Sequence, residues 1–201
     1  MRPIQSPRWQ AGFTLVELMV VLAVMVILAI VAIPSFVDYL ARTRLRTAAD
    51  GIVGQLALAR SEATRRHRNV IVSFTTSSGA WCSGGNQTVL ADETTEGISL
   101  ASADAVACDC TSPTTCLING NQSVVSSTDN STVELVSGGT VPLQFDRNVG
   151  TINNLTGDTI TLRSKTRPTR YELSIIVGAL GHARICVPSG FTTFGGYQTC
   201  S

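Results

Sequence analysis

Apolar residues along this chain are concentrated in one block and then recur at a regular spacing. From Phe13 to Ile33 the sequence reads FTLVELMVVLAVMVILAIVAI, 21 residues of which only Thr14 and Glu17 are not apolar. A helix of that length rises about 30 Å, the thickness of a bilayer's hydrocarbon core. Beyond it Phe36, Leu40, Leu45, Ala48, Ile52, Leu56, Ala59 and Ala63 follow one another every three to five residues. That spacing predicts a helix continuing to about Arg66 with a single apolar stripe. Asp38, Arg42, Arg46, Asp50 and Glu62 lie mostly off the stripe. Unbroken from Phe13, such a helix is about 80 Å long at 1.5 Å per residue. Pro34 removes one backbone donor and predicts a kink. Gly51 and Gly54 each weaken the helix by about 1 kcal/mol relative to Ala.

From Asn69 onward the pattern changes to short β-branched runs separated by Gly, Asn, Ser and Thr. It predicts strands over Val70–Thr75, Thr132–Val136, Val141–Phe145, Asp158–Arg163, Tyr171–Val177 and Ala183–Val187. Turns are expected at Ser137-Gly138-Gly139, Asn153-Asn154 and Gly178-Ala179-Leu180-Gly181. The outer half of the helix has to lay its stripe on something, and these strands are what the chain offers. The predicted class is therefore α+β, a long N-terminal helix packed on an antiparallel β-sheet head. The expected divisions are 1–12, a polar leader; 13–33, a transmembrane helix; 34–66, its amphipathic outer half; and 67–201, the β-rich head.

Composition narrows the function. Charged residues make up 14% and aromatics 5%, apolar residues reach 44%, and mean hydropathy is positive. Disordered chains are charged and poor in apolar residues, so the composition argues against disorder. The formal net charge of +1 argues against a nucleic-acid binder that works by bulk charge. Before the apolar block, MRPIQSPRWQAG carries Arg2 and Arg8 and no acid, which keeps this end in the cytoplasm and sends the rest across. An ordinary secretory signal has a shorter apolar core and a small-x-small cleavage site after it; here the block runs on through Ile33-Pro34.

Glu17 argues against a plain signal anchor. An ionised carboxylate in a membrane helix costs about 2.5–3.5 kcal/mol at mid-helix and less near an end, so it calls for a partner. Cleavage between Gly12 and Phe13 would create an ammonium on Phe13 near the carboxylate. In an assembly of such helices, that ammonium neutralises the Glu17 of a neighbour.

Gly12-Phe13-Thr14-Leu15-Val16-Glu17 resembles the class III signal of type IV pilins and type II secretion pseudopilins, a basic leader followed by Gly, Phe, Thr-Leu-x-Glu and an apolar helix. The resemblance implies that a prepilin peptidase cuts after Gly12 and N-methylates Phe13, and that Glu17 guides docking into a filament. Pro34 stands where such pilins commonly carry a helix-kinking proline. LALARSEATRRHRNVIVSF, from Leu56 to Phe74, and LGHARICVPSG near the end are similar to the GspH/FimT group of minor pilins and pseudopilins. The architecture implied is type IV pilin-like, with disulfide-stapled loops. The implied partners are the peptidase, other major and minor pilins or pseudopilins, and inner-membrane lipid. The implied location is the bacterial inner membrane, single-pass with a periplasmic head, and then a pilus or pseudopilus.

The six cysteines, Cys82, Cys108, Cys110, Cys116, Cys186 and Cys200, all follow the apolar block. An even count on an exported side reads as disulfides, with fifteen possible pairings. Pairing Cys186 with Cys200 would close a C-terminal loop resembling those common in pilins. The other four would staple the insert between about residues 80 and 120, their pairing open. The alternative is a metal site at Cys108-Asp109-Cys110 with Cys116, against which stand oxidising surroundings and the lack of a nearby His. No cofactor is implied.

Charge is unevenly distributed. Residues 92–134 hold seven acids and no Lys or Arg, whereas residues 147–201 hold Arg147, Arg163, Lys165, Arg167, Arg170 and Arg184 against Asp158 and Glu172. This polarity suits oriented meeting of subunits, or simply a solvated surface. It also supports a second reading. Some FimT-like minor pilins, which this chain resembles, bind DNA during natural transformation through a C-terminal Gly-Arg-x-Arg motif. Here the segment reads Gly181-His182-Ala183-Arg184, so His182 replaces the first Arg. A neutral imidazole lacks the permanent charge of a guanidinium, and Arg163, Lys165, Arg167 and Arg170 would have to compensate beside Arg184. An enzyme is not expected: no nucleophile triad order, Walker loop, dinucleotide glycine signature or metal-spaced His pair is present.

Overall fold

The computed structural model describes residues 13–77, 79–87, 108–110, 116–139, 141–153, 156–166 and 170–201. Among the described residues there is one helix, α1 (Leu15–Arg66), 52 residues long with Pro34 inside it. The described strands are β1 (Val70–Ser77), β2 (Ala80–Gln87), β3 (Leu117–Ile118), β4 (Asn121–Gln122), β5 (Val124–Ser126), β6 (Val133–Ser137), β7 (Leu143–Phe145), β8 (Asp158–Ser164), β9 (Glu172–Val177) and β10 (Ala183–Cys186). The chain forms two compact units, one ending at Tyr39 and one running Leu40–Ser201.

Both ends of α1 are capped as its sequence dictates. At the start the Glu17 amide donates to Thr14 Oγ1 at 3.2 Å, which makes Thr14 the N-cap. At the end His67 takes a left-handed conformation (φ 52°) and the Arg68 amide reaches back to the Ala63 carbonyl at 3.2 Å. That bond, from the second residue past the helix to its third-last turn position, is a Schellman closure. Asn and Gly are the usual occupants of such a position, and here His67 accepts the strain while exposed to solvent.

Within the Leu40–Ser201 unit, α1 buries Ala41, Leu45, Ala48, Ala49, Ile52, Gln55, Leu56, Ala59, Glu62 and Ala63. The expected stripe is thus found from Leu45 onward, with two differences. Phe36 is 62% exposed rather than part of it. Glu62, expected off the stripe, is buried. Small Ala side chains dominate the buried face, so strands can approach the helix closely.

The head is two antiparallel four-stranded sheets, ordered β5-β2-β1-β7 and β10-β9-β8-β6, with β3 and β4 as a separate two-stranded ladder. The larger core packs them against the helix: Val70 and Val72 of β1, Leu143 and Phe145 of β7, Ile160 and Leu162 of β8, and Leu173, Ile175 and Val177 of β9. Burying each large aliphatic or aromatic side chain contributes about 1.5–3 kcal/mol. Trp81 ties the two sheets, because its Nε1 donates to the Val133 carbonyl at 2.9 Å. All six expected strands are present within a few residues. The expected Ser137-Gly138-Gly139 turn is carried by Gly138 and Gly139, both at positive φ (98° and 69°). Of Asn153-Asn154, the second residue lies outside the described residues. At 178–181 the turn closes with the Gly181 amide on the Gly178 carbonyl at 2.8 Å.

Strand β2 was not expected, and its residues explain why. AWCSGGNQ carries two glycines and an asparagine, types depleted in strands. The glycines are there for space. A Cβ on Gly84 would stand 2.5 Å from Cys108 Sγ and 2.6 Å from Cys116 Sγ, and one on Gly85 would stand 2.6 Å from Ile118 Cδ1. Tertiary contacts have overridden strand propensity here.

Candidate functional site

The N-terminal residues form the first part of the site. Every side chain from Phe13 to Val37 is exposed, Phe13 at 84%, so a face of some 25 mostly apolar residues has no partner among the described residues. Described α1 is long and apolar enough to cross a membrane. Thr14-Leu15-Val16-Glu17 has the spacing of a capping box, and the Thr14 hydroxyl already satisfies the amide of Glu17. Phe13, Thr14 and Glu17 are therefore gathered at one helix start, with Pro34 five turns further along the same helix. Gly12 lies outside the described residues.

The second part is the face where α1 meets the head. Gln55 is 5% exposed, and its Nε2 donates to the Ser123 carbonyl at 2.9 Å and the Ser83 carbonyl at 3.3 Å, while Ser83 Oγ donates to its Oε1 at 2.5 Å. Two turns on, Glu62 accepts from Arg65 at 2.5 Å and Arg66 at 2.8 Å. Burial pushes its carboxyl up, but the hydrogen bonds from Arg66 and Arg65 outweigh this and hold it below the usual carboxylate range. Neither role was read from the sequence. The signal was available: 45, 48, 52, 55, 59 and 62 alternate steps of three and four, so both polar residues sit on the buried repeat.

The C-terminal loop clamps the same helix. Cys186 pairs with Cys200, as the resemblance implied. The loop's Phe194 packs edge-to-face on Tyr171 at 5.0 Å and on Tyr197 at 6.3 Å. Arg42 lies 4.8 Å over the Tyr171 ring and Arg46 5.7 Å over Tyr197. Tyr197 donates its hydroxyl to Asp50 at 3.4 Å, and its pKa is raised by burial first and by the Asp50 charge next. The remaining pairs are Cys82–Cys110 and Cys108–Cys116. The thiolates that a metal site at these residues needs are thus consumed, and no metal-holding cluster of His, Cys, Asp or Glu exists among the described residues.

The described basic residues singled out for nucleic acid are divided between two ends of the second sheet. Arg163 on β8 stands opposite Glu172 of β9 and Glu134 of β6, and it is ion-paired to both, with Glu134 at 3.7 Å. Arg184 lies on β10 across from Ile176, nearer the other end of the sheet, and donates to the Ser201 carbonyl at 3.0 Å. Its neighbour His182 meets Arg60 of α1 at 3.3 Å in a cleft of about 400 Å³ lined also by Val53, Thr64 and Val149. Lys165 and Arg170 are exposed near the Arg163 end, and Arg167 lies outside the described residues.

The family described as type II transport protein GspH matches residues 48–181, and the prokaryotic N-terminal methylation motif matches residues 10–33. A fimbrial protein of Pseudomonas aeruginosa is 35% identical over 83 residues, 41% of this chain and 53% of that protein. The type IV major fimbrial protein FimA of Dichelobacter nodosus is 49% identical over 51 residues, 24% of this chain and 32% of the relative. A fimbrial protein of Moraxella nonliquefaciens is 44% identical over 46 residues, covering 21% and 30%. The chain thus spans about half the length, or less, of these curated relatives. No solved structure matches it significantly. With a methylation motif at the head of a long apolar helix, and a disulfide-bonded antiparallel head matched over residues 48–181, the chain belongs to the GspH family of pilins and pseudopilins.

Proposed function

We propose that this chain is a non-enzymatic minor pilin or pseudopilin. It inserts in the inner membrane through residues 13–33, with its head in the periplasm. Prepilin peptidase cleaves it after Gly12 and N-methylates Phe13, and it then primes or joins a type IV pilus or a type II secretion pseudopilus beside other pilins or pseudopilins. The observation that carries this reading is the helix itself: α1 is exposed and mostly apolar from Leu15 to Val37 and buries one face against the strands from Ala41 onward. An exposed apolar face of this extent needs lipid or like helices. Glu17, desolvated among such helices, gains a neighbour's Phe13 ammonium only in the assembled state.

Replacing Glu17 with Ala is expected to leave membrane insertion intact and to cut incorporation into filaments at least tenfold, read by immunoblot of sheared filaments against membranes. Unchanged incorporation would defeat the charge-pairing account. Counting surface pili on a clean deletion is the first test: lost pili indicate a priming role in the type IV pilus, and normal piliation a secretion pseudopilus or a DNA-uptake role, between which DNA titration decides.

DNA uptake is the lesser reading, since Arg163 is offset by Glu134 and Glu172 and lies apart from His182 and Arg184. Titration of labelled duplex with residues 37–201 is expected to show no salt-sensitive shift. A shift that is lost on Arg184→Gln would restore DNA as a ligand.

A further inference from the structure

Two of the three disulfides interleave. Cys82 pairs with Cys110 and Cys108 with Cys116, so in chain order the second bond opens before the first has closed. Cys108 and Cys110 are separated by Asp109 alone, and the wrong assignment, Cys82–Cys108 with Cys110–Cys116, differs from the native one only by exchanging them. Chain entropy hardly distinguishes the two. Closing 26 residues instead of 28 is favoured about 1.1-fold, and 6 instead of 8 about 1.5-fold, both toward the wrong set. A chain that emerges from its N-terminus also offers Cys108 to Cys82 before Cys110.

What selects the native pairs is the folded head. Ser73 of β1, buried, donates to the Cys108 carbonyl at 3.0 Å, and Gly84, its partner on β2, supplies the bare patch on which the Cys108 and Cys116 sulfurs sit. Cys82, two residues earlier on the same face of β2, then meets Cys110. All four sulfurs are buried in one cluster with Val124. This template exists only once β1, β2 and β5 have paired, and cysteines oxidised before that pairing lack it.

We propose that this chain is a client of a dithiol disulfide isomerase, acting at the Cys82, Cys108, Cys110 and Cys116 cluster. The inference rests on the exported placement of the head proposed above. A thiol oxidase first converts each emerging pair of thiols to a disulfide, its own disulfide taking up the two electrons. The isomerase thiolate then attacks Cys82 Sγ of the Cys82–Cys108 bond, forming a mixed disulfide and releasing the Cys108 thiolate. Cys108 attacks Cys116 Sγ, forming the native Cys108–Cys116 bond and releasing the Cys110 thiolate. Cys110 attacks Cys82 Sγ, forming Cys82–Cys110 and returning the isomerase thiolate. Three bonds break and three form, so the shuffling consumes no oxidant.

The test exports the full chain in cells with and without their periplasmic disulfide isomerase and maps the bonds without reduction. Trypsin leaves residues 69–147 whole, since no Lys or Arg lies between Arg68 and Arg147. Cleavage before Asp109 separates Cys108 from Cys110 and reveals the assignment. Without the isomerase, the ratio of Cys82–Cys108 to Cys82–Cys110 is expected to rise at least fivefold. The double variant Cys108→Ser/Cys116→Ser, with no crossing bond to untangle, is expected to form Cys82–Cys110 equally in both cells. Native pairing at the same fraction without the isomerase overturns the proposal while leaving the filament reading untouched. Six reduced thiols in both cells overturn the exported placement itself and this inference with it.

Discussion

Phe145→Ala is expected to lower the stability of the head by about 3–5 kcal/mol, the usual cost of truncating a fully buried aromatic. Phe145 has no exposed surface, pairs with Val70 at the edge of the first sheet and bridges to Ile152. Its ring also lies under the turn after β9: a Cβ on Gly181 would stand 3.2 Å from Phe145 Cε1. The ring therefore fills space between a strand, a loop and a hairpin, and the backbone around it has little room to collapse into the gap. Urea unfolding of a fragment starting at Leu40 measures the effect. The midpoint should fall with the slope unchanged. A loss under about 1 kcal/mol would mean that this part of the core is not packed as described.

The paired substitution Cys186→Ser/Cys200→Ser is expected to cost about 3 kcal/mol, the loop-closure value for a bond that spans 14 residues. The consequence reaches beyond the loop. Phe194 and Tyr197 are carried by it, and through Tyr171, Arg42, Arg46 and Asp50 they fasten the C-terminal end of the chain to the helix. The backbone adds bonds from the Val187 amide to the Gln198 carbonyl at 2.9 Å and from the Cys200 amide to the Val187 carbonyl at 2.8 Å. Opening the ring releases these contacts together, so chymotryptic cleavage after Phe194 and Tyr197 should accelerate at least tenfold under native conditions. Unfolding at an unchanged urea midpoint would show that the aromatic and cation contacts hold the loop without the covalent bond.

These expectations draw unequally on sequence and structure. The second sheet was legible strand by strand, because β8 and β9 are runs of β-branched and aliphatic residues bounded by turn formers. The first sheet was legible only at β1 and β7. Its β2 is written in Gly, Ser, Cys and Asn, and its pairing with β5 depends on residues more than 35 positions away. Arg163 illustrates the same limit within the site. Its charge counted toward a basic C-terminal region, yet cross-strand register sets it between two carboxylates, and no local pattern records register between β6, β8 and β9.

Sequence alone determined what depends on neighbouring residues: the apolar block and its length, the Thr14 and Glu17 pair at its start, the helix up to Arg66, the glycine turns and the family signature at both ends of the head. Each is written within a few turns of helix or one strand, where spacing and side-chain type act directly. Tertiary structure decided the partition into two sheets, the polar anchors Gln55 and Glu62, the neutralisation of Arg163 and the choice of Cys110 over Cys108 for Cys82. Those choices compare alternatives of nearly equal local energy. What separates them is steric room at Gly84 and the satisfaction of buried donors and acceptors, and both exist only when distant segments are packed together.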